Sequence, residues 1–207
     1  MRTNSMAVLI ACEFSGIVRD AFRDRGHDAW SCDLLGPEDL PAEFNRQRWP
    51  AYHLEGDVRW FLNEAPAGGA WDMLIAHPPC TYLAVSGARW FKHRQAEQAE
   101  ALDFIRLLLD APIPRIALEN PISVISSRIR KPDQIIQPWM FGHGETKATC
   151  LWLKGLPLLT PTDVVSGRTP RVHFASPGPD RWIERSRTLP GIAAAMADQW
   201  GEGIVPK

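Results

Sequence analysis

Ala7-Val8-Leu9-Ile10-Ala11-Cys12-Glu13-Phe14-Ser15-Gly16 begins as an unbroken apolar run and ends in a turn of small residues. A membrane span needs about 18 apolar residues, so a run this short suits a strand buried on both faces. Gly16–Arg25 then reads as a helix stopped by Gly26, and Asp28–Cys32 as the next strand. Downstream, Asp72–Ala76 and Arg115–Leu118 repeat the strand signal. Between them Arg94 to Asp110 carries Ala99, Leu102, Ile105 and Leu109 on one helical face. Strands alternating with helices predict an α/β fold: a doubly wound, mostly parallel, Rossmann-like sheet.

After Pro121 prolines recur at 132, 138, 157, 161, 170, 177, 179 and 190. Loops and short antiparallel strands are expected there, with Thr149–Leu153 the clearest strand and Gly191–Trp200 a closing helix. No stretch reads as a linker, and a chain of 207 residues fits one domain, 1–207.

With 45% hydrophobic and 23% charged residues the chain is ordinary globular, which excludes a disordered tail, a collagen-like repeat or a disulfide miniprotein. Cys12, Cys32, Cys80 and Cys150 are scattered without a C-x-x-C pair, so neither a disulfide framework nor a four-cysteine zinc site is expected. The chain reads as reduced and cytoplasmic, with no membrane segment. Basic and acidic residues nearly balance, 23 against 24. Their distribution is uneven: seven acids and three arginines lie between Asp33 and Glu64, whereas Arg168, Arg171, Arg181, Arg185 and Arg187 face only Asp180 and Glu184. A second basic knot, Arg89, Lys92 and Arg94, interleaves with Trp90 and Phe91. Charge clustering alone equally describes solvated surface.

In an open α/β sheet ligands lie at the carboxyl ends of the strands, so function is sought in the residues that follow each one. After the first strand the turn at Phe14, Ser15 and Gly16 enters a helix whose amides could receive an anion. After the second comes Asp33, 17 residues beyond Gly16, where a carboxylate can take both hydroxyls of a ribose or simply cap the strand end. Gly56-Asp57 offers a further acid, either for an adenine amino group or as a turn aspartate. Together these suggest a nucleoside-containing cofactor with an acidic or zwitterionic end. The fourth strand runs into His77-Pro78-Pro79-Cys80, where two prolines hold a cysteine rigidly at the sheet's edge. The fifth ends in Glu119-Asn120-Pro121, a carboxyl group that is costly to bury unless used or paired.

The combination resembles the cytosine-C5 DNA methyltransferases that use S-adenosylmethionine. Phe14-Ser15-Gly16 stands for the first cofactor motif, Asp33 for the ribose-binding acid and Gly56-Asp57 for the adenine side. Pro79-Cys80 followed by Ser86-Gly87 stands for the nucleophile loop, and Glu119-Asn120-Pro121 for the family's Glu-Asn-Val. Glu145-Thr146-Lys147-Ala148-Thr149 takes the place of its Gln-x-Arg-x-Arg strand, with Lys147 where the first arginine would be. Thr188 to Ala193 looks like the returning segment that closes the cofactor pocket. The likeness covers most of the chain, but only a short, loop-rich segment, 154–185, occupies the place of the family's target-recognition region.

The resemblance implies an S-adenosylmethionine-dependent enzyme that methylates carbon 5 of cytosine, foremost in DNA, through a covalent Cys80 adduct. A thiolate adding at carbon 6 turns a poor carbon nucleophile into an enamine, and a carboxyl with a raised pKa at ring nitrogen 3 assists. Cys80 would be the thiolate and Glu119 the acid. Asn120 would hold the loop, and Lys147 would contact a phosphate or base oxygen. Ser86, Arg89, Trp90 and Lys92 follow the nucleophile closely enough to touch nucleic acid and fill the stack a flipped base vacates. Their plain alternative is the start of a helix packing two aromatics into the core. With so short a recognition segment, single-stranded nucleic acid or a free cytosine nucleotide stays open as substrate, and a separate recognition subunit is admitted as partner. Three rivals remain. A zinc deaminase needs a second cysteine that the run after Cys80 does not supply; an amino-group methyltransferase has a near relative of His77-Pro78-Pro79-Cys80 but needs no thiol; and an inactive cofactor- or nucleic-acid-binding relic has no use for the Cys80 and Glu119 pair.

Overall fold

The computed structural model describes residues 5–38, 50–171, 174, 178 and 181–202. Asp39, Glu43, Arg46 and Arg48 of the acidic run lie outside the described residues, as do Pro177, Pro179 and Asp180. Seven strands, β1 (Ala7–Ala11), β2 (Asp28–Asp33), β3 (His53–Glu55), β4 (Met73–Ala76), β5 (Arg115–Pro121), β6 (Gln134–Ile136) and β7 (Thr149–Lys154), form one sheet in the order β3-β2-β1-β4-β5-β7-β6. The first five in that order run parallel, and β7 lies antiparallel to both its neighbours.

The buried runs of β1 and β4 work because helices cover both faces of the sheet. Val8 and Ile10 pack with Phe22, Met196 and Trp200 on the side of α1 (Ile17–Arg23) and α5 (Pro190–Gly201). Leu9 and Ala11, pointing the other way, meet Leu102, Ile105 and Leu108 of α2 (Gln95–Leu109). The α2 stripe is turned slightly from the expected one: Leu108 is buried in place of Leu109, and Ala99 is exposed. Two short helices, α3 (Ile125–Arg128) and α4 (Arg181–Ser186), complete the described α-helices, and four 3-10 turns lie between elements. None of these helices is long and apolar enough to cross a membrane.

Two boundaries differ from expectation in ways that matter for the site. The first helix starts at Ile17 because Gly16 takes a left-handed φ of 71°, a conformation open to glycine at little cost. The fifth strand continues three residues past Leu118, because β7 pairs Glu119 with Leu151, Asn120 with Cys150 and Pro121 with Thr149. Glu119 and Asn120 therefore lie within a strand. Past Pro121 the expected short elements appear, and 154–171 is tied back by single bridges between Phe141 and Asp163 and between Glu145 and Thr169.

From β1 the chain winds outward through β2 to β3, then returns to β4 and winds the opposite way to β5. The carboxyl ends of β1 and β4 flank this reversal, the place where an open α/β sheet presents a crevice.

Candidate active site

Ladder registers decide which side chains meet at that crevice. Ala11 pairs with Cys32 and with Ala76, and Ala76 pairs with Leu118. One residue further on, Asp33, Cys12, His77 and Glu119 therefore stand side by side across the carboxyl edge. Asp33 and Glu119 are three strand spacings apart, roughly 14 Å. A cavity of about 540 Å³ opens over them, lined also by Phe14, Ser15, Pro79, Cys80, Ser86, Asn120 and Lys147.

Beyond β1 the chain turns sharply: Cys12 adopts φ 58°, rare outside glycine, and Glu13 swings under α1. Glu13 is 5% exposed and accepts the N–H of Val18 at 2.7 Å and of Arg19 at 3.3 Å. The amides expected to receive an external anion are thus occupied by the chain's own carboxylate. Burial raises the Glu13 carboxyl, and the opposing pull of His77, Arg19 and these amides does not cancel it. Asp33 accepts the Leu35 N–H at 3.0 Å and is also raised by burial, against the pull of that bond and of His53.

Pro78 and Pro79 carry the chain out of β4 without amide donors. Asn120 pins this loop by donating from Nδ2 to the Pro78 carbonyl at 2.9 Å, while the Cys80 carbonyl accepts from Leu83 and Ala84 at 3.0 and 2.9 Å. The Cys80 thiol is pushed up by burial and by the negative charge of Glu119, and the positive charges of Arg185 and Lys147 offset this only in part. Glu119 accepts from His77 Nδ1 at 3.1 Å. Burial alone would raise its carboxyl, but that bond and the charges of Lys147 and His77 outweigh burial and hold it below the ordinary carboxylate range. The expectation of a raised Glu119 is therefore corrected. The reason is His77, whose place beside Glu119 follows from register and not from sequence spacing.

Lys147 is also employed differently from expectation. Its Nζ donates to the backbone carbonyls of Arg185 at 2.9 Å and Arg187 at 3.3 Å, clasping α4 and the residues just after it over the cavity. The same segment is held by Trp182, whose ring centroid lies 5.7 Å from that of Phe14, and by the ion pair of Arg187 with Glu38. Gly16, Asp57, Arg89, Trp90 and Lys92 do not line the cavity. Asp57 caps a 3-10 turn at Val58–Trp60 and pairs with the Arg59 guanidinium, which holds its carboxyl below the usual range. Arg89, Trp90 and Lys92 belong to a 3-10 stretch, Val85–His93, with no buried residue, and Trp90 is 55% exposed. Packing of this stretch into the core is overturned. Ser86 and Gly87 at its start line the cavity, so it leads from the site to solvent.

Sequence reasoning gave His77 a place only in rival readings, as half of a zinc site with Cys80 or in the amino-group methyltransferase pattern, and gave Glu13 and Arg185 none. Each had a visible signal: a polar residue directly after a buried strand in the first two, and a basic run in the third. Two buried polar atoms among the lining residues, His77 Nε2 and Asn120 Oδ1, have no hydrogen-bond partner. Among the described residues no group of three or more His, Cys, Asp or Glu side chains is placed to hold a metal ion.

No protein-family model matches the chain, and no curated protein matches it. Among solved structures it is similar to one from E. coli described as a "putative DNA modification methyltransferase" encoded within a prophage. That similarity has a TM-score of 0.46 and 14% identity, and covers 84% of this chain and 56% of the other.

Proposed function

We propose that the chain is an S-adenosylmethionine-dependent methyltransferase acting on carbon 5 of cytosine in DNA through a covalent adduct on Cys80. The observation that carries the reading is one cavity at the switch point of the sheet, lined by both Cys80 and Glu119, with Asp33 roughly 14 Å from Glu119 across it. That span gives room for a nucleoside cofactor beside a base.

The donor set suits the cofactor at the β2 side. Asp33 brings a two-oxygen acceptor for the ribose hydroxyls, and Phe14 and Trp182 bring aromatic surface beside it. With the α1 amides taken by Glu13, the cofactor's amino-acid end must find other partners. When bound, S-adenosylmethionine would supply an electrophilic methyl sulfonium. The remaining chemistry belongs to the chain. The Cys80 thiolate bonds to carbon 6, and the ring's electrons shift toward nitrogen 3, where a proton from Glu119 meets them. Carbon 5 becomes nucleophilic as a result. Loss of its proton after methylation lets the carbon–sulfur bond break, and the electron pair returns to Cys80. The exposed stretch with Arg89, Trp90 and Lys92 would meet phosphates and stack beside a base taken out of the duplex.

The deciding experiment incubates the protein with methyl-labelled S-adenosylmethionine and, separately, duplex DNA, single-stranded DNA, RNA and dCMP. Label in 5-methylcytosine of the duplex is expected, together with a trapped Cys80 adduct on 5-fluorocytosine DNA. Label on an exocyclic amino group, or transfer surviving in Cys80→Ala, overturns the reading.

A further inference from the structure

We propose that His77 is the positioning residue that aims Glu119 and sets its charge, so that the acid serving ring nitrogen 3 is a His77–Glu119 pair sharing one proton. The assignment rests on the cytosine reading above and deepens it.

Four observations converge. The β4–β5 register sets position 77 beside position 119, so the pair is built into the sheet and not into a loop. The bond from Nδ1 to Glu119 Oε2 is 3.1 Å, and the His77 side chain is only 6% exposed. Its other ring nitrogen is buried without a partner, although buried polar atoms are ordinarily satisfied. Finally, a second buried carboxyl, Glu13, feels the same imidazole from the end of β1: burial raises Glu13 and the pull of His77 only offsets it, whereas at Glu119 the direct bond to His77 helps outweigh burial. An imidazole serving only as a strut would account for the first two observations. It would leave unexplained a buried nitrogen without a partner.

Titratable groups face the pair from every element packed against it. Glu13 and Cys12 face it from the end of β1, with Arg19 of α1 behind Glu13. Cys80 lies in the loop after β4, Cys150 in β7, Lys147 before β7, and Arg185 in α4. In this setting one proton on the pair resides on His77 Nδ1 or on the Glu119 carboxyl, the two arrangements differing by transfer along a single hydrogen bond. As Cys80 sulfur bonds to carbon 6, that proton passes from Glu119 to nitrogen 3, leaving a carboxylate and a neutral imidazole. When carbon 5 later loses its proton to water and the sulfur leaves with its electron pair, nitrogen 3 returns its proton to the pair. A shared proton also removes one of the two causes that raise the Cys80 thiol: burial remains, but a protonated Glu119 no longer opposes the thiolate.

The test uses the full chain and two variants. His77→Asn keeps an N–H near the place of Nδ1 but cannot carry charge, and His77→Gln serves if the first does not fold. Carbon-13 NMR of the Glu119 carboxyl is expected to show its titration moved to higher pH in the variant. In parallel, methyl transfer to duplex DNA should lose about 10–100-fold in kcat, the scale lost when the group that orients a metal-ligating histidine is removed. KM should be unchanged, and the loss should vary with pH. An unmoved Glu119 titration overturns the proposal, as does a pH-independent loss, which would mark His77 as a strut. If the unmodified protein methylates none of the substrates, the cytosine reading fails, and the NMR titration alone then supports or overturns His77 as the residue that sets the charge of Glu119.

Discussion

Cys80 and Glu119 oppose each other as long as both are to be ionised, since each negative charge disfavours the other. Cys80→Ala removes the nucleophile without disturbing Asp33, so methyl transfer should vanish while calorimetry shows near-normal S-adenosylmethionine affinity. Glu119→Gln keeps the shape but not the acid, and its rate should fall by about 10²–10⁴-fold, the scale of a positioned general acid. The same carboxyl gives a stability signature. Its folded value lies below its ordinary 4.5, so the folded chain holds that proton less tightly than the unfolded chain. The stability it contributes is present above 4.5 and lost as pH falls through the folded value. Melting temperatures of the unmodified protein and Glu119→Gln should therefore draw together on acidification below 4.5, and a constant gap would contradict the pairing with His77.

At the scale of elements, β1, α1 and α5 form one packed unit beneath the side of the cavity proposed for the cofactor. Trp200 is fully buried against this unit and donates Nε1 to the Pro157 carbonyl at 3.0 Å. Trp200→Ala should cost about 3–5 kcal/mol in denaturant unfolding, the range for truncating a large buried aromatic. Gly16→Ala should cost less, about 1–2 kcal/mol for the left-handed backbone, and more if the buried Arg19 guanidinium beside the new methyl cannot shift. The central elements were legible because their apolar runs are buried on both faces and bounded by Gly26 or Pro78. The far end of β5 was not, because Glu119-Asn120-Pro121 looks like a strand exit until β7 pairs with it. The clasp made by Lys147 was not legible for a similar reason: hydrogen-bond partners 38 and 40 positions away leave no local pattern.

Across the whole molecule, the proposed recognition of DNA would rest on the charges of Arg89 and Lys92 and on the exposed Trp90. Each phosphate-binding cation replaced by a neutral side chain should reduce the steepness of log affinity against log salt by about 1, so Arg89→Ala with Lys92→Ala should lower it by about 2 on any duplex sequence. An unchanged slope would remove this stretch from the interface. The site itself is spread over four strand ends, and no two of its members Asp33, Cys12, His77 and Glu119 are closer than 21 positions in the chain. What brings them into line is the length of each strand, counted from the ladder that holds it. A β-strand is in this sense a ruler, and its marks are about 3.3 Å apart with alternate marks on opposite faces. Replacing Ile75 by another aliphatic residue leaves every mark in place. Deleting it draws His77 back by one mark and turns its imidazole to the other face of the sheet, so this part of the protein can tolerate spelling changes far better than changes of length.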